Sequence, residues 1–106
     1  MGWLQRRLAG RPGRQRAATR ADAEHLAEFA RTRPGVEAYL EPRTVITEST
    51  LLLVAASGEW TRRRVDGPAG AHAFARKHAI PLYEAQVVGY PQRMREWNAR
   101  RKLQAD

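Results

Sequence analysis

An aromatic ring and two guanidinium groups alternate in one short stretch of the sequence, at Trp60, Arg62 and Arg64. Side chains two residues apart point to the same face of a β-strand. A ring on which a base stacks, beside cations that meet backbone phosphates, is the combination that binds single-stranded nucleic acid. The same residues also suit packing, with Trp60 over Leu51 and Leu53 and the arginine head groups in water. The stretch therefore has two interpretations, a nucleic-acid contact and a packed strand.

Positive charge is concentrated at the two ends of the chain. Residues 1–20 carry six arginines and no acidic residue, whereas residues 21–90 carry eight basic and nine acidic side chains. Residues 91–106 carry five basic and two acidic side chains, and the net charge of the chain is +8. Arginine-rich ends suit bidentate phosphate contacts, and they equally keep a protein soluble. The predicted phosphate-binding residues of the two ends are Arg6, Arg7, Arg11, Arg14, Arg16, Arg93, Arg95, Arg100, Arg101 and Lys102.

The composition excludes several classes of protein. A chain of 106 residues is the size of a single domain. It has no cysteine, which excludes a disulfide framework, a thiolate zinc site and a cysteine nucleophile. No apolar run approaches the roughly 18 residues of a membrane span, and the N-terminal residues do not form a secretory signal. We therefore expect a cytoplasmic protein.

Motifs for catalysis and metal binding are also absent from the sequence. Neither glycine-rich phosphate loop, GxGxxG or GxxxxGK[ST], occurs, and there is no GxSxG nucleophile turn. The three histidines, His25, His72 and His78, have no carboxylates at metal-ligand spacing. We therefore expect a non-enzymatic protein without a metal ion, a cofactor or a small-molecule substrate.

The hydrophobic pattern predicts one small domain between two basic segments. Residues 1–18 have no sustained period and are interrupted by glycine and proline, which indicates a disordered basic arm. Residues 19–91 are predicted to form one α+β domain, and residues 92–106 a basic C-terminal helix and tail. Thr19 and Asp22 have the spacing of a capping box at the start of the first helix.

The predicted elements follow the order α-β-β-β-α-β-α. This order predicts an α+β two-layer sandwich, with a mostly antiparallel sheet and the helices on one face. The continuous apolar run over residues 51–56 indicates a central strand covered on both sides. The helices are predicted at 20–33, 68–79 and 92–102, and the strands at 36–41, with an extension through 44–46, and at 51–56, 59–65 and 82–88.

A hairpin is predicted between the second and third strands. If Ser57 and Gly58 form a two-residue turn, Ala56 lies opposite Glu59. An error of one residue in the turn changes the cross-strand neighbours but leaves the alternation of Trp60, Arg62 and Arg64 intact. The pairs predicted by the two-residue turn are Ala55 with Trp60, Leu53 with Arg62, and Leu51 with Arg64.

Met94 and Trp97 share one face of the predicted C-terminal helix, with arginines on the other faces. The two residues can dock on the domain and leave a cationic ridge, or they can insert into a groove of a partner protein. Docking on the domain is the favoured alternative, because a small domain needs the extra buried area.

Two stretches resemble sequences of other proteins. Residues 58–65 (GEWTRRRV) and 89–95 (GYPQRMR), in an alanine- and arginine-rich setting, resemble a family of short uncharacterised actinobacterial proteins over most of residues 19–102. The resemblance implies a bacterial cytoplasmic protein and brings no activity or site. The α-β-β-β-α order of residues 20–79 is similar to that of double-stranded-RNA-binding domains. The lysine-rich start of that family's second helix is missing here, so no residue is carried over.

These observations favour a small non-enzymatic nucleic-acid-binding protein, with RNA or a ribonucleoprotein ahead of DNA. The basic ends would hold phosphates, and the hairpin residues would meet bases or the backbone. The alternative is a protein–protein interaction module or regulatory subunit that docks on an acidic protein partner, with the charge steering the encounter.

Overall fold

The apolar run that starts at Leu51 forms an interior strand. The structure is a computed structural model that describes residues 17–105. Its strand β2 (Thr50–Val54) carries four consecutive side chains, from Leu51 to Val54, that are all 0% exposed. Alternate side chains of a strand point to opposite faces, so both faces of β2 are covered. The prediction of a central strand covered on both sides is confirmed.

Four strands form one mixed sheet in the order β3-β2-β1-β4. β1 (Glu37–Glu41) pairs antiparallel with β2 and parallel with β4 (Leu82–Glu84), and β3 (Trp60–Arg64) pairs antiparallel with β2. The helices are α1 (Arg20–Thr32), α2 (Gly67–His78), the short α3 (Ala85–Val88) and α4 (Gln92–Ala105). The predicted α+β class is confirmed. Residues 1–16 of the predicted basic arm lie outside the described residues.

Helix α1 begins at the predicted capping box. The backbone N–H of Thr19 donates to Asp22 Oδ2 at 2.9 Å, and the backbone N–H of Asp22 donates to Thr19 Oγ1 at 3.1 Å. Two N–H groups that a helix start would leave without partners are thereby satisfied. Leu26 and Phe29, three residues apart on one face of α1, are buried in the core.

The helices α1 and α2 cover one face of the sheet. That face presents Ala38, Leu51 and Leu53, which form a buried cluster with Leu26 of α1 and Ala71 of α2. Ala71 is 0% exposed, so its small side chain lets α2 lie close to the sheet. This packing matches the predicted layer of helices on one face.

The opposite face of the sheet is covered from the start of α4. Met94 is only 8% exposed and joins a second buried cluster with Tyr39, Leu52 and Val54. The sheet therefore lies between two layers, which differs from the prediction that all the helices share one face. Apolar side chains on both faces of β1 and β2 require the second layer. The favoured docking of Met94 on the domain is confirmed.

The turn between β2 and β3 has three residues rather than two. The N–H of Ala55 donates to the carbonyl oxygen of Glu59 at 2.8 Å, which leaves residues 56–58 in the turn. The predicted pairs are therefore wrong by one residue, and β3 presents alternate side chains to the second cluster instead of to Leu51 and Leu53. The observed pairs are Val54 with Trp60, Leu52 with Arg62, and Thr50 with Arg64.

Two predicted strand extensions are wrong. Beyond β1, residues 42–49 form a loop in which Val45 is 81% and Ile46 is 64% exposed. Strand β4 ends at Glu84 instead of residue 88, and the chain continues as α3. Pro42 is consistent with the end of β1, because it has no N–H to donate to a neighbouring strand.

Gly58 sets the distance between α4 and the β2–β3 turn. Its φ is +95°, and a Cβ here would lie 2.1 Å from the Arg93 carbonyl oxygen and 3.0 Å from Trp97 Cβ. A side chain at this position would therefore strain the backbone and displace α4.

We expect Gly58→Ala to lower the free energy of unfolding by about 3 kcal/mol or more, measured by urea unfolding. Gly67→Ala is the matched control, because Gly67 has a φ of +66° but no atom within 4 Å of the added Cβ. Backbone strain alone should cost this control about 1 kcal/mol. Equal losses of stability in the two variants would show that the close contact between Gly58 and α4 adds nothing to the cost of Gly58→Ala.

Candidate nucleic-acid interface

Trp60 lies at the start of β3, next to α4. Its indole Nε1–H donates to Asn98 Oδ1 at 2.7 Å, and the side chain packs against the second cluster. The residue is nevertheless half-exposed. Trp60 therefore packs against the sheet and still has surface that a ligand could contact. Its packing partners are not the predicted Leu51 and Leu53.

Arg62 is held by a carboxylate of the protein itself. Its Nε donates to Glu41 Oε1 at 2.7 Å and its Nη2 donates to Glu41 Oε2 at 2.9 Å. The guanidinium carbon lies 5.3 Å from the centroid of the Trp60 ring, within cation–π range. The hydrogen bond to Glu41 raises the pKa of Arg62 above its already high value. Arg62 therefore supports Trp60, and its charge is compensated by Glu41.

Glu41 is the centre of a hydrogen-bond network for which the sequence pattern gave no signal. Besides Arg62, it accepts hydrogen bonds from Thr50 Oγ1 at 2.7 Å and from the Tyr90 hydroxyl at 2.5 Å. Burial opposes the charged form, but the hydrogen bonds outweigh it and lower the pKa of Glu41. The network connects β1, β2 and β3 to the segment that precedes α4.

Arg64 does not join Trp60 and Arg62. Its Nε lies 3.7 Å from Asp22 Oδ2 in α1, and the Nε of Arg63 lies 3.8 Å from Asp22 Oδ1. Because β3 is an edge strand, the Arg64 side chain can reach past the sheet towards this buried acid. The predicted row of one ring and two cations therefore reduces to Trp60 and Arg62.

Arg93, predicted to bind phosphate, fastens α4 to the sheet. Its Nε donates to the carbonyl oxygen of Ala55 at 2.9 Å, and its Nη2 donates to Glu37 Oε1 at 2.8 Å and to the carbonyl oxygen of Val54 at 3.2 Å. All three acceptors lie at one end of β1 and β2. The guanidinium group therefore has a structural role, and its charge is compensated by Glu37.

A cleft separates α4 from the β2–β3 hairpin. Its volume is about 310 Å³, and it is lined by Glu59, Trp60, Trp97, Asn98 and Arg101. The guanidinium carbons of Arg100 and Arg101 lie 5.8 and 5.7 Å from the centroid of the Trp97 ring. Arg100 Nη2 also donates to the Ser57 carbonyl oxygen at 3.0 Å, which ties α4 to the turn. We call this site the Trp60–Trp97 cleft.

The last part of α4 extends the cleft with exposed cations. Residues 99–105 are all exposed, and among residues 17–105 Arg100, Arg101 and Lys102 form no ion pair. Arg95 is exposed as well, and its Nη1 donates to the Tyr90 carbonyl oxygen at 3.2 Å. The predicted residues that the structure brings to the two indole rings of the cleft are Trp60, Arg62, Arg100 and Arg101, and Lys102 is exposed next to Arg101 in α4. The predicted residues Arg6, Arg7, Arg11, Arg14 and Arg16 lie outside the described residues.

Trp97 lines the cleft, although it was not among the predicted nucleic-acid-binding residues. Helical spacing predicts that it docks together with Met94, but only Met94 is buried and Trp97 is half-exposed. The signal available in the sequence was its position three residues before the pair Arg100 and Arg101, because residues three and four apart are neighbours on a helix.

Two of the three histidines, His25 and His78, have local structural contacts, and His72 is exposed. The His25 Nε2 lies 2.5 Å from the Thr61 hydroxyl, and the His78 ring lies 4.4 Å from the Phe74 ring. Within residues 17–105, no group of three histidine, aspartate or glutamate side chains could hold a metal ion. Over the same residues, no helix has the length and apolar character required to cross a membrane.

Comparison with known proteins gives no relative for this chain. No protein-family model matches it, and neither a curated protein nor a solved structure matches it.

The Glu41 network makes the stability of the fold depend on pH. A carboxyl group with a lowered pKa in the folded state stabilises the fold above its unfolded pKa, and this contribution is lost as the pH falls through the folded pKa. The pKa of Glu41 lies below its ordinary value of 4.5. The contribution of Glu41 should therefore be complete at pH 7 and decline below about pH 4.5.

We expect Glu41→Gln to lower the free energy of unfolding at pH 7 by about 2 kcal/mol, because it weakens charge-assisted hydrogen bonds. The variant should also lose less stability than the wild type between pH 7 and pH 3, measured by denaturant unfolding. Glu24→Gln, which removes an exposed ion pair with Arg20, is the control and should change stability by less than about 0.5 kcal/mol. Parallel pH profiles for the wild type and Glu41→Gln would contradict the role of Glu41.

Proposed function

We propose that this protein is a non-enzymatic nucleic-acid-binding protein that binds single-stranded nucleic acid, RNA ahead of DNA, at the Trp60–Trp97 cleft. The observation that supports the proposal is the meeting of two half-exposed indoles with the guanidinium groups of Arg100 and Arg101. Bases stack on aromatic faces and phosphates bind cations, so both parts of a nucleotide find a partner here.

Ion pairs inside the protein indicate which of its cations are available to bind phosphate. Arg62 and Arg93 are paired with Glu41 and Glu37, so a phosphate gains little from them without breaking an internal ion pair. The cations at the end of α4 form no salt bridge within residues 17–105, although Arg101 is close enough to Glu59 to help lower the pKa of that carboxyl group. We infer that they provide the electrostatic attraction, and that the arginine-rich residues 1–20 add a contribution that does not depend on base sequence.

Trp97 is the residue whose replacement tests the proposal. Trp97→Leu removes the stacking surface while keeping an apolar side chain beside Gly58. We expect the affinity for a single-stranded RNA to fall about tenfold at fixed salt, as loss of one stacked base predicts. Fluorescence anisotropy with a labelled oligonucleotide gives the dissociation constant, and urea unfolding verifies that the variant is folded.

A charge-matched pair of variants separates a defined surface from a general effect of positive charge. The double variant Arg101→Ala with Lys102→Ala should lower the dependence of affinity on salt by about one unit of slope for each phosphate that is no longer bound. The double variant Arg76→Ala with Lys77→Ala removes the same charge from α2, on the other side of the sheet, and should leave the slope nearly unchanged. Equal effects of the two variants, or binding that disappears only on deletion of residues 1–18, would contradict an interface at the cleft.

The second candidate function is docking on an acidic protein. Leu103 is 76% exposed in the same basic part of α4, and an apolar side chain among cations suits such a partner. Nuclease treatment of a complex recovered with the purified protein distinguishes the candidates. A directly bound protein survives this treatment, whereas a complex held together by nucleic acid does not.

A further inference from the structure

A second concave site lies on the same face of the sheet, beside the segment that precedes α4. Its volume is about 230 Å³, and it is lined mainly by Glu37, Tyr39, Tyr83, Val88, Tyr90 and Pro91. We call it the tyrosine pocket. Arg93 connects it to the Trp60–Trp97 cleft, because Arg93 binds both Glu37 in the pocket and the Ala55 carbonyl group next to the β2–β3 turn.

The walls of the tyrosine pocket are aromatic and partly open to solvent. The rings of Tyr39 and Tyr83 have centroids 5.5 Å apart and planes inclined by 33°. Tyr83 is 38%, Tyr90 is 42% and Val88 is 55% exposed. Exposed apolar and aromatic groups gathered around a concavity are typical of a binding site. A flat aromatic ligand would cover these surfaces.

Glu37 supplies a hydrogen-bond acceptor to the pocket. Its Oε1 accepts hydrogen bonds from Arg93 at 2.8 Å and from the Tyr39 hydroxyl at 3.1 Å, whereas Oε2 receives none from residues 17–105. An ionised carboxylate only accepts, so a ligand that contacts Oε2 must present an N–H or O–H group. The ion pair with Arg93 compensates the charge of Glu37, and the chain carries a net charge of +8, so a neutral donor fits better than a cation.

We propose that the tyrosine pocket binds a nucleobase that presents an exocyclic amino group to Glu37, and that the protein therefore prefers cytosine to uracil. This inference rests on the proposed function and adds base preference to it. Aromatic side chains stack unpaired bases, and carboxylates accept a hydrogen bond from the N4 amino group of cytosine. Uracil has a carbonyl oxygen in place of that amino group, which would face a second acceptor.

The test compares oligo(C) and oligo(U) of equal length, because the two differ in the base but not in charge or sugar. We expect the wild-type protein to bind oligo(C) about tenfold more tightly than oligo(U) at neutral pH and fixed salt. The measurement is fluorescence anisotropy with the full-length protein.

Two variants assign the preference to the pocket. In Glu37→Gln the amide can donate to the carbonyl oxygen of uracil as well as accept from the amino group of cytosine, so the ratio of the two affinities should fall to near one. Tyr83→Leu leaves Glu37 and Arg93 in place and should weaken oligo(C) binding several-fold. Urea unfolding of both variants separates a loss of binding from a loss of folding.

The possible outcomes separate this inference from the proposed function. Equal binding of oligo(C) and oligo(U) by the wild type would overturn the base preference and leave binding at the Trp60–Trp97 cleft standing. A preference that persists in Glu37→Gln would overturn the assignment to this pocket. Absence of binding to either oligonucleotide would overturn the proposed function and the base preference with it. Saturable binding of a short lysine-rich peptide that Tyr83→Leu abolishes would instead identify a site for cations.

Discussion

The bond between the Arg93 guanidinium group and the end of the sheet is the interaction on which the rest of this structure depends. It joins α4 to the carbonyl groups of Val54 and Ala55 and to the Glu37 carboxylate. Gly58 permits the close approach, because any side chain there would meet the Arg93 carbonyl group. With α4 fixed in this way, Met94 closes the second apolar face and Trp97 lies across the cleft from Trp60.

This arrangement divides the arginines of the domain into two groups. Arg62 and Arg93 are bound to carboxylates of the sheet, where they determine the positions of Trp60 and α4. Removing either partner from such a pair leaves a partly buried charge without compensation, which is costly. Arg101 and Lys102 form no salt bridge within residues 17–105, whereas Arg100 donates to the Ser57 carbonyl oxygen. The protein therefore combines an aromatic surface that its own ion pairs hold in place with accessible positive charge beside it.

Local patterns in the sequence were sufficient for much of the fold. The capping box at Thr19 and Asp22 located the start of α1, and the apolar run after Leu51 identified β2 as a strand covered on both faces. The register of the hairpin could not be predicted, because a two-residue and a three-residue turn are both compatible with Ser57 and Gly58. The approach of α4 to Gly58 is a contact between residues far apart in the chain. The valines at 87 and 88 resemble a strand, but the chain turns into a short helix at Ala85.

The candidate site was only partly predictable from the sequence, because it too depends on contacts between residues far apart in the chain. The sequence pattern indicated Trp60 and the cations of α4, which the structure brings to one surface. The partners of Arg62, Arg64 and Arg93 are acids from distant segments, and a sequence pattern does not show which arginine meets which acid. Helical periodicity places Trp97 with Met94 and so predicts packing for both. Trp97 lies near the edge of the buried face of α4, and whether such a residue is covered depends on where the helix leaves the sheet.

The tryptophan indole N–H signals provide the most direct test of the proposed interface. The chain has three tryptophans, so three indole signals are expected in a ¹H–¹⁵N correlation spectrum, and tryptophan-to-phenylalanine variants assign them. On titration with a single-stranded RNA, the signals of Trp60 and Trp97 should shift together and saturate at one affinity. If both signals stay in place while the changes are confined to residues 1–16, the protein binds only through its basic N-terminal segment and the cleft is not the interface.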